Sequence, residues 1–136
     1  MTNARLPQEI HTALDNGVPA LVVTCSADGT PNATIISKVY FVDETHVALS
    51  FQFFNKTIRN VRENPRAWVG LADYTGHADW VLALEFERSE TEGPIFDAMD
   101  MQIEAIASAT GMSGIFKLRA ADIYRVLSVE KQPFQP

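Results

Sequence analysis

The sequence predicts a mainly β protein, a small antiparallel barrel whose openings are covered by short helices. Runs rich in β-branched and aromatic residues dominate the chain and give about six strands against three short helices. Turn-forming residues separate these runs at regular intervals, as they do in barrels. The 136 residues suffice for a single domain, 1–136, with a modest core, so support from a dimer interface is expected.

The first half of the chain predicts one helix and then three sequential antiparallel strands. Apolar residues at helical spacing, followed by Gly17, indicate a helix from about Leu6 to Asn16. The Asp28-Gly29 pair supplies the positive φ that a hairpin turn requires. The strands are predicted over Ala20–Cys25, over Ala33–Val42 and over residues 47–53, with a turn at Asp43–Thr45 before the third strand.

The second half alternates between helical and extended patterns. A short helix over 55–63 is ended by Pro65, and Pro94 opens a longer helix. The apolar stripe of that longer helix consists of Phe96, Met99, Ile103 and Ile106. The predicted strands of this half are Ala67–Ala72, Trp80–Glu87 and one strand or a pair of strands over Ile115–Val129, with residues 130–136 as a tail or linker.

Composition and charge exclude several classes of function. The net charge of −6 and the pI near 4.9 give no general attraction for nucleic acid or for anionic lipid. Cys25 is the single cysteine, so an internal disulfide is impossible, and the histidines lack metal-ligand spacing. With no apolar signal segment or membrane span in the sequence, we expect a cytoplasmic protein.

The segment from Ser50 to Arg62 is the first candidate site. A predicted strand runs here into a helix that begins with Asn55, Lys56 and Thr57. Free backbone N–H groups at a helix start, together with a lysine and a hydroxyl, form a typical phosphate site. The alternative is an ordinary N-cap followed by solvated side chains, and spacing alone favours that interpretation.

The strand around Ile36, Ser37 and Lys38 is the second candidate. Two polar residues interrupt an apolar strand here, and its backbone could hydrogen-bond a planar ring while Lys38 offsets negative charge. The equally good alternative is an edge strand whose outward lysine prevents aggregation. No pattern assigns a catalytic acid, base or nucleophile, so the catalytic residues stay unknown.

The order of elements resembles the pyridoxamine 5′-phosphate oxidase-like, FMN-binding split-barrel family. The resemblance covers residues 18–90 well and the remainder loosely. It rests on the A-D-G-T-P and D-E-T turns between strands and on the sequence N-K-T-I-R-N-V-R-E-N-P-R from Asn55 to Arg66. It implies a six-stranded split barrel that forms a homodimer, with FMN in a cleft at the subunit interface.

The resemblance also implies a set of cofactor-binding residues. Lys56 and Thr57, with Asn55 beside them, match the ligands of the FMN phosphate. Ile36, Ser37 and Lys38 match the strand whose backbone meets the isoalloxazine ring and the ribityl chain. Ser50, Phe51 and Gln52 match the strand that passes beneath the phosphate and ribityl groups.

The C-terminal segment departs from that of the true oxidases. Their substrate-binding signature includes Trp and His near the end, whereas residues 123–130 contain neither. The implied function is therefore an FMN flavoprotein, an oxidoreductase or electron carrier with unknown substrate, rather than an oxidase of vitamin B6. The alternatives are an F420-binding protein, a haem protein with His46 or His77 as axial ligand, or a non-enzymatic ligand-sensing module.

Overall fold

The computed structural model describes residues 4–15, 20–36, 38–49, 60–109, 111 and 118–134. Two short helical segments precede the first strand, a 3₁₀ turn Gln8–Ile10 and helix α1 (His11–Asp15), and residues 60–63 are helical as well. Helix α2 spans Pro94–Ala109. The strands are β1 (Ala20–Cys25), β2 (Pro31–Ile36), β3 (Tyr40–Asp43), β4 (His46–Leu49), β5 (Arg66–Asp73), β6 (Ala78–Glu90) and β7 (Ala121–Pro133).

One antiparallel sheet contains these seven strands in the order β2-β1-β5-β6-β7-β4-β3. β2 and β3 lie at opposite ends of this order although residues 37–39 alone separate them in the chain. Four Cα–Cα steps span at most about 14 Å, so the two ends of the sheet must approach each other there. The sheet therefore curls into a barrel.

The predicted and observed folds differ in the segment that contains β2 and β3. The predicted strand Ala33–Val42 is divided into β2, which pairs with β1, and β3, which pairs with β4. The mainly β, split-barrel fold class is confirmed, but the count of six strands is not, because the described residues form seven. The division arises because a single extended segment must pair with neighbours at both ends of the sheet.

The hairpin between β1 and β2 forms as the sequence predicts. Gly29 has a φ of 86°, which a glycine adopts without strain, and Ser26 N–H donates to Thr30 O at 3.0 Å. The Asp28 carboxylate accepts from the Thr30 N–H at 3.0 Å and from the Ser26 hydroxyl. These hydrogen bonds, that of Ser26 first, lower the pKa of Asp28 to about 2.

Alternation along each strand separates the barrel interior from its outer surface. Inward side chains join one apolar cluster, for example Val22 on β1, Val69 on β5 and Leu82 on β6. Leu6, Ile10 and Leu14 from the N-terminal helical segments belong to the same cluster. These segments therefore cover part of the barrel core, as predicted for short helices at the openings.

Helix α2 packs on the outside of the barrel. Its Met99 and Ile103 form a second apolar cluster with Tyr40 of β3, Ala48 of β4 and Ile123 of β7. Ala48 and Ile123 point away from the barrel interior, so β4 and β7 are buried on both faces. The predicted apolar stripe of α2 is confirmed at Met99 and Ile103, while the side chain of Ile106 lies outside the described part.

Other predicted boundaries shift along the chain. The N-terminal helix is shorter than predicted, with Gln8–Asp15 divided between a 3₁₀ turn and α1. β7 is one strand rather than a pair within its described residues, and it extends to Pro133, which pairs with Ala78. Residues 130–133 thus belong to the sheet instead of a tail, because β6 is long enough to pair with them.

None of the helices in the described ranges has the length and apolar content that crossing a bilayer demands.

Replacing Leu82, which is fully buried, with alanine should destabilise the fold by about 2–5 kcal/mol, because it leaves a cavity in the barrel interior. Urea unfolding at fixed protein concentration measures the change. Asp79→Ala, on the exposed face of the same strand, serves as control and should change stability by less than about 0.5 kcal/mol. Equal effects of the two variants would contradict the assigned inward face of β6.

Candidate functional site

Two of the predicted ring-binding residues, Ile36 and Lys38, lie at or beside the break between β2 and β3. Ile36 ends β2 and is buried, and Lys38 and Val39 belong to no strand. Lys38 Nζ donates to Gln102 Oε1 of α2 at 2.8 Å and lies 5.6 Å from the centre of the Tyr40 ring. This lysine is thus bound to a helix, which differs from the free outward lysine of the edge-strand alternative. Ser37 lies outside the described residues.

The predicted phosphate segment also lies outside the described residues. This applies to Ser50, Phe51, Gln52, Asn55, Lys56 and Thr57. The two flanks of the segment are nevertheless defined. Leu49 of β4 lies opposite Asp122 of β7, and Asn60 belongs to the helical turn after the segment.

On each flank a buried polar residue, Asn60 or Asp122, makes a side-chain hydrogen bond. Asn60 Nδ2 donates to Thr24 Oγ1 of β1 at 3.2 Å, and both residues are buried. On the other flank, the Ser89 hydroxyl donates to the carboxylate of Asp122. Segment 50–59 therefore runs from the β4–β7 ladder to a turn that is attached to β1.

Asp122 is a candidate functional group that the sequence analysis missed. It is 6% exposed, and its burial raises the pKa of the carboxyl. The Ser89 hydroxyl and the positive charge of Arg62 oppose that rise only in part. The available signal was a single carboxylate inside the otherwise apolar run Ala120–Tyr124. Perturbed carboxyls of this kind mark functional sites more often than ordinary ones.

The two histidines proposed as haem ligands occupy different environments. Both ring nitrogens of His46 are engaged, Nδ1 with Asp43 Oδ1 at 2.9 Å and Nε2 with Glu87 Oε2 at 2.8 Å. His77 is exposed, has a φ of 54° and lies edge-on to the ring of Phe134. An axial role for His46 would require one of the two carboxylate contacts to break, because an imidazole binds a metal through a single ring nitrogen.

Tyr40 lies at the start of β3 beneath helix α2. It is 3% exposed, and burial raises the pKa of its phenol to about 12. Within the described part of the chain, its hydroxyl has no hydrogen-bond partner. A buried donor that stays without a partner lowers the stability of a protein by about 1–3 kcal/mol.

The sequence profile of the pyridoxamine 5′-phosphate oxidase family matches residues 6–126. The chain belongs to this family. The match confirms the resemblance that the turns and the Asn55–Arg66 segment carry. It extends over the break at Ile36–Lys38, over the predicted phosphate segment and over the first part of β7, to Val126.

A protein of Methanocaldococcus jannaschii, itself uncharacterized, is 28% identical to this chain over 91 residues. The alignment covers 60% of this chain and 60% of that protein. The chain therefore matches about three fifths of the length of this curated relative.

Solved structures share the fold over nearly the whole chain. HupZ from Group A Streptococcus has a TM-score of 0.71 at 19% identity, covering 96% of this chain and 99% of its own. An FMN-binding protein from Syntrophomonas wolfei has a TM-score of 0.70 at 14% identity, with coverages of 98% and 86%. At these identities the likeness establishes the split-barrel fold.

Proteins named for other cofactors share this fold too. An F420 reductase has a TM-score of 0.65 at 12% identity, covering 92% of this chain and 98% of its own. HutZ, a haem storage protein from Vibrio cholerae, has a TM-score of 0.58 at 18% identity, with coverages of 97% and 92%. The fold by itself is thus compatible with FMN, F420 or haem.

Asp122→Asn should stabilise the protein at pH 7. Burial raises the pKa of the Asp122 carboxyl above its value of 3.8 in the unfolded chain. The folded protein therefore loses stability as the pH rises from 3.8 through the pKa of the folded state. The asparagine removes this penalty, so the gain should be larger at pH 7 than at pH 4. Thermal unfolding of both proteins at the two pH values measures the difference. A gain that is the same at both values, or a loss at pH 7, would contradict the raised pKa.

Proposed function

We propose that this protein is an FMN-binding flavoprotein that acts as an oxidoreductase or electron carrier. The observation that carries the proposal is the family match, because residues 6–126 include every residue predicted to contact FMN. When bound, the flavin supplies the redox chemistry, and the protein binds and orients it. The substrate or redox partner is a separate molecule whose identity is open.

The break between β2 and β3 supports the ring-binding part of the proposal. Lys38 and Val39 lie outside the strands, so the sheet ladder does not take up their backbone groups. Every backbone N–H and C=O near a buried position needs a partner, and the polar edge of a flavin ring offers several. The Lys38 ammonium beside this backbone adds positive charge next to the ring.

Charge supports the phosphate-binding part. A chain with net charge −6 repels a phosphate dianion at long range, so the site must supply its own cation. Lys56 provides one at the predicted helix start, and Asn55 and Thr57 add polar groups. The hydrogen bonds of Asn60 and Asp122 fix the two flanks of segment 50–59, which contains these three residues.

An exposed apolar surface supports the homodimer. On the outer face of β2, β1, β5 and β6, Leu21 pairs with both Ile35 and Gly70, and Gly70 pairs with Val81. Trp68 lies on the same face, two residues from Gly70. We call these residues the outer patch; Ile35 is 63% exposed, Leu21 46%, Trp68 40% and Val81 38%. Contiguous apolar surface of this kind marks an interface, and Ile35 lies next to the predicted ring strand.

Ile35→Glu should convert the dimer to monomer. A carboxylate buried without a partner opposes association, so the dissociation constant should rise at least about 100-fold. Sedimentation equilibrium measures it. Met101→Glu on α2 is the matched control, since Met101 is 73% exposed and lies outside the patch. A wild-type protein that is monomeric at micromolar concentration would refute the dimer.

Lys56→Ala should weaken FMN binding by about 1–3 kcal/mol, because a charge-assisted contact to the phosphate is lost. Quenching of flavin fluorescence on titration measures the affinity. Lys131→Ala is the control, since its ammonium contacts Glu9 at 2.8 Å and lies over the Trp80 ring. Equal affinity in the Lys56 variant and the wild type would make Lys56 an ordinary solvated residue.

The absorption spectrum distinguishes the cofactors. The purified protein, mixed with FMN and desalted, should retain the two bands of a yellow flavin. Retention of F420 instead of FMN would indicate that the same residues bind a deazaflavin. A Soret band after incubation with haem, without flavin retention, would overturn the proposal in favour of a haem protein.

A further inference from the structure

Gly70 of β5 lies within the outer patch, although the fold of the single chain does not require a glycine there. Its φ is not positive. Among the described residues, a Cβ atom at this position would meet only Leu21 Cβ at 4.0 Å, an ordinary contact. A glycine inside a strand weakens the strand, and it often marks a close approach of another backbone. The missing side chain leaves a depression between Leu21, Trp68 and Val81.

The most exposed side chain of the outer patch lies on the other side of β1 from this depression. Leu21 pairs with Ile35 of β2 and with Gly70 of β5, so the large and the small residue flank Leu21 at one level. Ile35 is 63% exposed. Neighbouring strands are about 4.8 Å apart, so Ile35 and Gly70 are separated by about 10 Å and do not contact each other within one subunit.

The next level of the same face has the opposite order of sizes. Val23 of β1 pairs with Ala33 of β2 and with Trp68 of β5, so the small residue is now on β2 and the large one on β5. Val23 and Leu21 lie two residues apart and therefore point to the same face. A half-turn about an axis along β1 exchanges the positions of β2 and β5. It therefore lays each large side chain over a small one of a second copy.

Charge also favours a second copy at this face. Copies with a net charge of −6 repel each other, so their interface needs a surface without acidic side chains, and none of the residues at these two levels is charged. Arg66, which contacts Glu85 at 3.4 Å, lies on β5 level with the start of β2. The half-turn places it beside the β1–β2 turn of the second copy. That turn contains Asp28, whose pKa of about 2 keeps it ionised at neutral pH.

We propose that a second copy of this chain packs on the outer patch with the two-fold axis along β1. Ile35 fills the depression at the partner subunit's Gly70, and Trp68 lies over the partner subunit's Ala33. Each contact occurs twice, as an interface with two-fold symmetry requires. The outward residues of β1 meet their own counterparts on the axis.

This inference rests on the proposed homodimer and adds the arrangement of its two copies. Ile35 directly precedes Ile36, the first of the predicted ring-binding residues. The partner subunit's β5 therefore lies beside the strand that is proposed to meet the flavin ring.

Gly70→Val tests the close approach. The valine occupies the depression that Ile35 enters, so the dissociation constant of the dimer should rise at least about tenfold in sedimentation equilibrium. In the Ile35→Glu background, which is expected to be monomeric, the same substitution should not lower the melting temperature, because the space at Gly70 is open within the described chain. An unchanged dissociation constant would overturn the arrangement.

Ile35→Ala combined with Gly70→Val identifies the side chain that enters the depression. The two positions are about 10 Å apart within one subunit, so their effects on association couple only across the interface. The smaller alanine makes room for the valine, and the double variant should dimerise at least about threefold more tightly than additivity predicts. Met101→Ala combined with Gly70→Val is the control and should be additive, since Met101 lies on α2.

The outcomes separate the arrangement from the homodimer itself. Additive effects of Ile35→Ala and Gly70→Val in a dimeric protein would refute the axis along β1 and leave the homodimer intact. A wild-type protein that is monomeric at micromolar concentration would refute both.

Discussion

The architecture depends on one extended segment, Pro31–Asp43, that pairs with different strands at its two ends. Its first part is bound to β1 and its second part to β4, at opposite ends of the strand order. The sheet has to close because one chain segment cannot reach both ends otherwise. Closure also produces the break at Lys38 and Val39, which belong to no strand. The predicted ring-binding residues lie at this break, so the constraint that makes the barrel also makes the candidate site.

Buried polar contacts then organise the mouth of the barrel. Asn60 is attached to Thr24 and Asp122 to Ser89, on the two sides of segment 50–59. Such groups destabilise the fold unless they are paired, so each pair specifies where its strand or turn must lie. His46 illustrates the same effect in a different place. Its two carboxylate partners, Asp43 of β3 and Glu87 of β6, fix the orientation of the imidazole ring.

The outer surface of the barrel has two apolar regions, one buried under helix α2 and one exposed. Helix α2 covers Ala48 and Ile123, while no described residue covers the outer patch around Leu21 and Ile35. A barrel of this size has a small interior, so burying outer surface adds stability that the core cannot supply. A groove remains between β3 and α2 at the covered region, whereas the side chains of the outer patch stay exposed.

Local patterns in the sequence determined the fold class, the Asp28-Gly29 hairpin, the apolar stripe of α2 and the family. They succeed because alternation, turn chemistry and helical spacing act over a few residues. The division of the predicted strand Ala33–Val42 into β2 and β3 was decided by tertiary structure, since it follows from pairing with two distant strands. The same is true of Asp122 and Tyr40, whose polar groups look ordinary in the sequence. Their burial, and hence their raised pKa values, arises only when β4, β6 and α2 pack around them.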